Sequence, residues 1–402
     1  MKVLVRQEYI DRVEKYLGKD IIIVLTGQRR VGKSCMLQMI RDLKAGDVDN
    51  NIIFIDKEKS EFDVIKTYAD LNEYIAQHYQ KGKTNYILID EIQDIEEFER
   101  SVRSWRTEPD AEVIITGSNA KMLSGELSTL IGGRFKEIRI QSLSYREFLA
   151  FHQLEDSDDA LAKYIQFGGM PGLVKIGLNE DDAREYQRDI FSIALLKDVI
   201  LRNKIRNVTF LETLVRFLAD NIGKIISATN IAKYLKSQGQ SVTTATVIDY
   251  ARMLTEAFIV DKVSRYDIHG KRLFERNDKF YFEDHGIRNA LCGGTRLGDI
   301  EKVIENIVYQ HLLRMGYSVT VGQLQAGEVD FVCEWKDGSR RYVQVSYIIA
   351  DEQTRHREFG NLQAIKDNYP KYVISMTPLL GRSDENGITH LHLRRFLMGD
   401  AL

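Results

Sequence analysis

Short apolar runs and amphipathic stretches alternate through the first part of the chain. Ile21-Ile22-Ile23-Val24-Leu25-Thr26 is continuous and β-branched, as a strand buried on both faces of a parallel sheet must be. Similar runs recur at Asn51–Asp56, Tyr86–Asp90, Val113–Ser118 and near Phe135 to Ile140. Between them the apolar positions fall three to four apart: Cys35, Met36, Met39, Ile40 and Leu43 after the first run, and Phe98, Val102 and Trp105 ahead of the fourth. Strands separated by helices predict a parallel α/β sheet covered on both sides, closing near Leu149.

From about Tyr145 to Leu201 the pattern is mostly helical, broken by the turn Gly168-Gly169-Met170-Pro171-Gly172. Three further helices follow. The first carries Leu211, Leu214, Val215 and Leu218; a short one, with Thr229 as its N-cap, buries Ile231, Ala232 and Leu235; the third carries Val247, Tyr250, Ala251 and Leu254. Two strands then flank Gly270, and three helices with a β-wing describe a winged helix-turn-helix. The remainder opens with a helix holding Ile304, Ile307, Val308 and Leu312, then strands at Tyr317–Val321, Glu328–Trp335, Arg341–Tyr347 and Tyr372–Met376. The pattern therefore divides the chain into an α/β domain over 1–149, a helical linker region over 150–205, a winged-helix domain over 206–285 and a second α/β domain over 286–402. Apolar runs stop at about six residues, far short of the roughly 20 a membrane span needs, so no membrane partner is expected.

Candidate chemistry begins in the turn after the first run. Gly27-Gln28-Arg29-Arg30-Val31-Gly32-Lys33-Ser34 fits the phosphate-cradling pattern G-x-x-x-x-G-K-[ST], set between strand and helix as that chemistry requires. Loop N–H groups and the positive end of the helix dipole converge there on phosphate oxygens. The expected nucleotide-binding residues run on through Cys35, and Lys33 would neutralise charge on the β- and γ-phosphates. Asp90 ends the third run and Glu91 follows it, the arrangement of a Walker B segment. Asp90 would orient Mg²⁺ through its waters, Ser34 would supply a direct hydroxyl ligand, and Glu91 would position or deprotonate the attacking water. The fourth run ends at Thr116-Gly117-Ser118-Asn119, where Asn119 or Ser118 would sense the γ-phosphate or hold the lytic water; a plain turn is the competing reading. Arg134, after Gly132-Gly133, is a candidate finger for transition-state charge and equally a surface arginine. Acting on a neighbouring subunit, it would require an oligomer, which the sequence leaves open. The guanine signature Asn-Lys-x-Asp is missing, so ATP is the expected nucleotide.

Gly27-Gln28-Arg29-Arg30-Val31-Gly32-Lys33-Ser34, Ile89-Asp90-Glu91-Ile92-Gln93, Thr116-Gly117-Ser118 and Gly133-Arg134 together resemble an AAA-type P-loop ATPase family of bacteria and archaea. Leu143-Ser144-Tyr145-Arg146-Glu147-Phe148 and Gly168-Gly169-Met170-Pro171 are similar to its linker motifs. The resemblance spans nearly the whole chain. It implies an AAA-like core with the catalytic glutamate beside Asp90, followed by a C-terminal domain of unknown function. That last domain resembles the restriction-endonuclease-like fold: Glu305, Asp330 and Gln344 match its carboxylate positions. In active members a lysine two residues on stabilises the attacking water. Ser346 stands there instead, so the domain reads as nuclease-derived and inactive, with Lys336 and Lys371 as possible substitutes.

Charge adds a further distinction. Lys197 to Arg276 holds 14 Lys/Arg against 8 Asp/Glu, a local +6 in a chain whose total is −3. Lys262, Arg265, Lys271, Arg272 and Arg276 would lie on or near the wing, placed for phosphates. The third helix offers Thr243, Thr244 and Thr246 to base edges, but its one basic residue, Arg252, is offset by Asp249 and Glu256. Packing or protein binding is the competing use. Three isolated cysteines, Cys35, Cys292 and Cys333, form neither a disulfide framework nor a metal cluster, which fits a reducing, cytoplasmic setting. The expected function is a Mg-dependent ATP-binding and ATP-hydrolysing switch coupled to winged-helix and nuclease-like modules. An ATP-controlled nuclease and a DNA-binding regulator are the alternatives, with DNA or a protein as partner.

Overall fold

The computed structural model describes residues 4–120, 133–239, 242–273, 277–295, 297–325, 327–378, 383–399 and 402; Gly132 and Arg276 lie outside them. The chain forms two compact units, one running to Gln141 and including Glu256–Phe258, the other comprising Ser142–Thr255 and Ile259–Leu402. No helix among the described residues is long and apolar enough to cross a membrane.

In the first unit, α1 (Gln7–Glu14) precedes β1 (Ile22–Thr26), α2 (Lys33–Lys44), β2 (Asn50–Asp56), α3 (Tyr68–His78), β3 (Thr84–Asp90), α4 (Phe98–Arg106), β4 (Ala111–Gly117) and β5 (Phe135–Arg139). All strand pairs are parallel, in the order β2-β3-β4-β1-β5. Every residue of β1 is buried, as is β3 after its first residue, which is why both read as unbroken apolar runs. Ile22, Val24, Ile53, Ile55, Ile87 and Ile89 pack on one face against Phe98 and Val102 of α4, with Trp105 half-buried beside them. Strand β4 lies between β1 and β3. A residue at its end therefore stands between the loop after β1 and the acidic pair after β3.

The second unit opens with α5 (Tyr145–His152), fixed by a reciprocal capping box between Ser144 and Glu147. This helix follows the end of the first compact unit at Gln141 and runs past Leu149, where the apolar pattern closes the first domain. Then come α6 (Asp158–Phe167), α7 (Leu173–Ile176) and α8 (Glu180–Ala194), the last continuing into a π-helical stretch over Leu195–Leu201. Three helices follow as the spacing predicts: α9 (Val208–Asp220), α10 (Ala228–Ser237) and α11 (Thr244–Glu256). The cap of α10 is Ser227 rather than Thr229. The Ser227 hydroxyl accepts the Asn230 N–H at 3.1 Å, leaving Thr229 inside the first turn.

Strands β6 (Val260–Val263), β7 (Arg265–Asp267), β8 (Arg272–Leu273) and β9 (Lys279–Phe282) lead to α12 (His285–Leu291) and α13 (Ile300–Met315). Beyond them lie β10 (Ser318–Leu324), β11 (Gly327–Glu334), β12 (Arg340–Ser346), α14 (Glu352–Gln363), β13 (Lys371–Ser375), β14 (Ser383–Glu385), β15 (Ile388–His392) and α15 (Leu393–Leu397). The two strands around Gly270 are not a free-standing hairpin. Strand β7 pairs in parallel with β10, giving one sheet ordered β14-β15-β13-β12-β11-β10-β7-β8, while β6 pairs separately with β9. Three-residue strands look alike whether they edge a sheet or stand alone, so periodicity could not separate the two cases.

A tight junction holds the Gly168-Gly169 turn against the start of α12. The Gly169 N–H donates to Asp284 Oδ2 at 2.7 Å, and a Cβ on Gly286 would come within 2.1 Å of the Phe167 carbonyl oxygen. His285, 4% exposed, places Nε2 2.7 Å from the Tyr164 carbonyl. Burial lowers its pKa, outweighing the opposing pull of Asp284 and that carbonyl. A histidine kept neutral in the fold but protonated when unfolded makes stability fall as pH drops through the unfolded value of about 6.5. We expect this residue to contribute a loss of at most about 1.4 kcal/mol per pH unit below that point. In His285→Gln, which retains the donor, denaturation midpoints measured between neutral and mildly acid pH are expected to fall less steeply; an unchanged slope would count against it.

Candidate active site

The loop between β1 and α2 is shaped by three residues with positive φ, Gly27 (141°), Arg30 (71°) and Gly32 (102°). Only glycine fits at 27, where a Cβ would lie 2.1 Å from the Ile140 carbonyl oxygen. Val31 is fully buried and pins the loop from below. Helix α2 starts after Gly32 with no side-chain cap among the described residues, so its first N–H groups face the loop as anion donors. Lys33 is 4% exposed and its ammonium donates to the carbonyls of Gly27 and Gln28 at 3.0 and 3.1 Å. Arg6, 4% exposed, donates to Val31 O at 3.2 Å and to Gln141 O at 2.9 Å, tying the loop to the last residue of the unit.

The acidic pair lies on the same sheet edge. Ser34 and Thr116 both hydrogen-bond the Asp90 carboxylate, and the Thr116 hydroxyl in turn accepts the Glu91 N–H at 2.9 Å. One hydroxyl at the end of β4 thus orients both acids at the end of β3. Glu91 has left-handed backbone (φ 51°), a conformation that costs a non-glycine residue about 1–3 kcal/mol and that Thr116 helps to hold. Its carboxylate accepts a hydrogen bond from Gln93 Nε2. Burial raises the pKa of Asp90, the hydroxyls of Thr116 and Ser34 oppose that shift, and the neighbouring charges of Glu91 and Asp56 add to it.

Most of the sequence-derived residues meet here. Gly27 to Ser34, Asp90 and Glu91 share the C-terminal edge of the sheet, and buried Ser118 and Asn119 follow β4 on that edge. Cys35, in the first turn of α2, is exposed. Arg134 does not join them. It precedes β5, whose first residue pairs with Ile22 at the start of β1, and its guanidinium bonds Asp20 at 2.9 Å. The five residues of β1, about 16 Å of strand, separate it from the loop. Thr116 and Gln93 stand in the sequence motifs without a role of their own, and Arg6 stands in none. Thr116 at least carried a signal, a polar residue closing an apolar strand beside the Asp90 strand.

The second unit alters two expectations. On the expected wing, Lys262 pairs with Asp278 at 3.1 Å, Arg272 with Asp267 at 3.7 Å, and Arg265 bonds Gln323. Thr243 accepts the Thr246 N–H at 3.1 Å, so it serves the opening of α11 as well as any ligand. Neither Lys336 nor Lys371 is the lysine that meets Glu305 and Asp330. Lys336 is exposed in the turn after β11, and Lys371 donates to the Asp367 carbonyl at 2.8 Å. Lys279 of β9 enters instead, with its ammonium 2.8 Å from Glu305 Oε1.

Comparison with known proteins bears on both units. Residues 19–149 match the family described as AAA domain, and residues 158–298 match one described as a domain of unknown function (DUF8612). An uncharacterized protein of Haemophilus influenzae is 34% identical over 377 residues, covering 92% of each chain. An uncharacterized protein of Methanocaldococcus jannaschii is 25% identical over 395 residues, covering 91% of this chain and 86% of its own. Among solved structures, a Walker-type ATPase of Pyrococcus abyssi is similar in fold, with a TM-score of 0.53 at 14% identity, covering 72% of this chain and 96% of its own.

Thr116→Val keeps the side-chain shape and removes both hydrogen bonds. Phosphate release from ATP is expected to slow by roughly tenfold or more, about 1.4 kcal/mol, with nucleotide affinity changed far less. Fluorescent-nucleotide titration beside a phosphate-release assay separates the two; equal losses in both would remove Thr116 from a positioning role.

Proposed function

We propose that this chain, which shares a family with the Haemophilus influenzae relative and carries an AAA domain over residues 19–149, is a Mg-ATP-dependent switch. In this reading the first unit binds and hydrolyses ATP, and the second passes nucleotide state to a partner. The observation that carries it is the meeting of Lys33, Ser34, Asp90, Glu91 and Thr116 on one sheet edge.

Each residue has a definite task. Loop N–H groups and Lys33 take the phosphates, the lysine exchanging its bonds to Gly27 and Gln28 for phosphate oxygens. The hydroxyl of Ser34 and the carboxylate of Asp90, already in contact, are the hard oxygen donors that Mg²⁺ prefers, and these two residues would hold it. Bound there, the ion would supply neutralising charge to the β- and γ-phosphates. Glu91, 6% exposed and set by Thr116, would accept the proton of the attacking water. Buried Ser118 or Asn119 would hold that water or sense the terminal phosphate. Arg6 supports the switch: a loop that shifts around nucleotide pulls through it on Gln141.

Lys33→Ala is expected to abolish the heat of Mg-ATP binding in titration calorimetry. Glu91→Gln should retain binding and turn over roughly 10²-fold or more slowly. Wild-type turnover by Glu91→Gln would displace it as the base, and a wild-type chain that gives no binding heat would end the whole reading. The same turnover assay with duplex and single-stranded DNA identifies the partner class. Acceleration lost on replacing Lys271 and Arg272 would favour nucleic acid, and indifference would favour a protein.

A further inference from the structure

Lys279, the first residue of β9, is a buried cation surrounded by acids. Its side chain is 2% exposed, and its ammonium lies 2.8 Å from Glu305 Oε1, 2.5 Å from Glu328 Oε1 and 3.6 Å from Asp330 Oδ1. Those carboxylates come from α13 and β11, so the lysine crosses from one element to two others. The surroundings are closely fitted. The Tyr281 hydroxyl donates to Glu305 Oε1 at 2.6 Å, the Val345 N–H donates to Asp330 Oδ2 at 2.8 Å, and Gln344 Oε1 accepts the Asp330 N–H at 3.4 Å. Gly223, in the turn after α9, closes over the cluster; a Cβ there would stand 2.7 Å from Glu305 Oε2.

Three carboxylates about the Lys279 ammonium carry more negative charge than it balances, and Arg357, paired with Glu358 at 2.6 Å, adds only a charge interaction with Asp330. Burial and the neighbouring Glu305 raise the pKa of Asp330 in consequence, while the carboxylates, led by Glu305, overcome burial and hold the Lys279 pKa above its ordinary value. Carboxylate oxygens are the donors a hard divalent ion takes, at about 2.0–2.2 Å for Mg²⁺. Yet Glu305 Oε1 and Asp330 Oδ1, the atoms that would bridge to such an ion, are the atoms turned toward the ammonium. Ion and ammonium would compete for one space.

We propose that Lys279 is the resident cation of this cluster, occupying the place of a divalent ion, so that the chain takes up no Mg²⁺ or Mn²⁺ there. The lysine closes the site that Glu305 and Asp330 would otherwise form. This does not rest on the nucleotide-site reading, since it involves no residue of the first unit.

The test is Mn²⁺ binding to the full chain without nucleotide, followed by electron paramagnetic resonance of the free ion. Wild type is expected to hold no Mn²⁺ that Asp330→Asn removes. Lys279→Met should gain one such ion per chain, lost again in Lys279→Met/Asp330→Asn. Because Lys279→Met strips the acids of their counterion, Lys279→Met/Glu328→Gln is run beside it to relieve the repulsion, with Mn²⁺-dependent thermal stabilisation as a second readout. Wild-type Mn²⁺ binding that depends on Asp330 would overturn the proposal, as would folded variants that gain no ion. Failure of both variants to fold even with Mn²⁺ would also overturn it, because an ion able to replace the ammonium would restore the balance of charge.

Discussion

Parallel pairing sets the site in the first unit. Strands hydrogen-bonded in parallel must all end on one edge, and the register opposes Leu25 with Thr116 and Ile89 with Ile115. Asp90 and Thr116 therefore finish side by side, and the phosphate loop leaves β1 at the same level. The register is held by apolar side chains with no role in chemistry, such as Ile87, Ile89 and Ile115. A slip of one residue would turn Asp90 to the opposite face and break its bond to Thr116. The polar cluster contributes little to holding the sheet; the sheet holds the cluster.

The parts of this site visible in the sequence were those confined to a few consecutive residues. The phosphate loop and the Asp90-Glu91 pair each sit in one short stretch whose flanks announce strand or helix. Thr116 was less visible, because its bond to Asp90 depends on β4 lying between β1 and β3, and strand order leaves no local mark. Arg6 was hidden for a similar reason: its partners, Val31 and Gln141, are 25 and 135 positions away. Arg134 could have been placed better. It precedes an apolar run, and in an all-parallel sheet whatever precedes a strand lies on the edge away from the loop.

The second unit shows the same limit at larger scale. Its helices were readable from spacing, since burying one face leaves a three-to-four pattern. How its strands combine was not, because β7 is only three residues long and its partner β10 lies some fifty positions later. The missing lysine followed the same course. Reading along β12 from Gln344 finds Ser346, while the cation that meets Glu305 arrives on β9. Electrostatic need is met by whichever element is near in space.

The eight-stranded sheet also limits its own growth. Among the described residues its outermost strands are β8, with two residues, and β14, with three; Arg272 and Leu273 of β8 are both exposed. A margin that short, as far as the described residues run, gives an approaching chain little unpaired backbone to join. The two strands expected to form a wing thus serve as the selvedge of a broad β-surface.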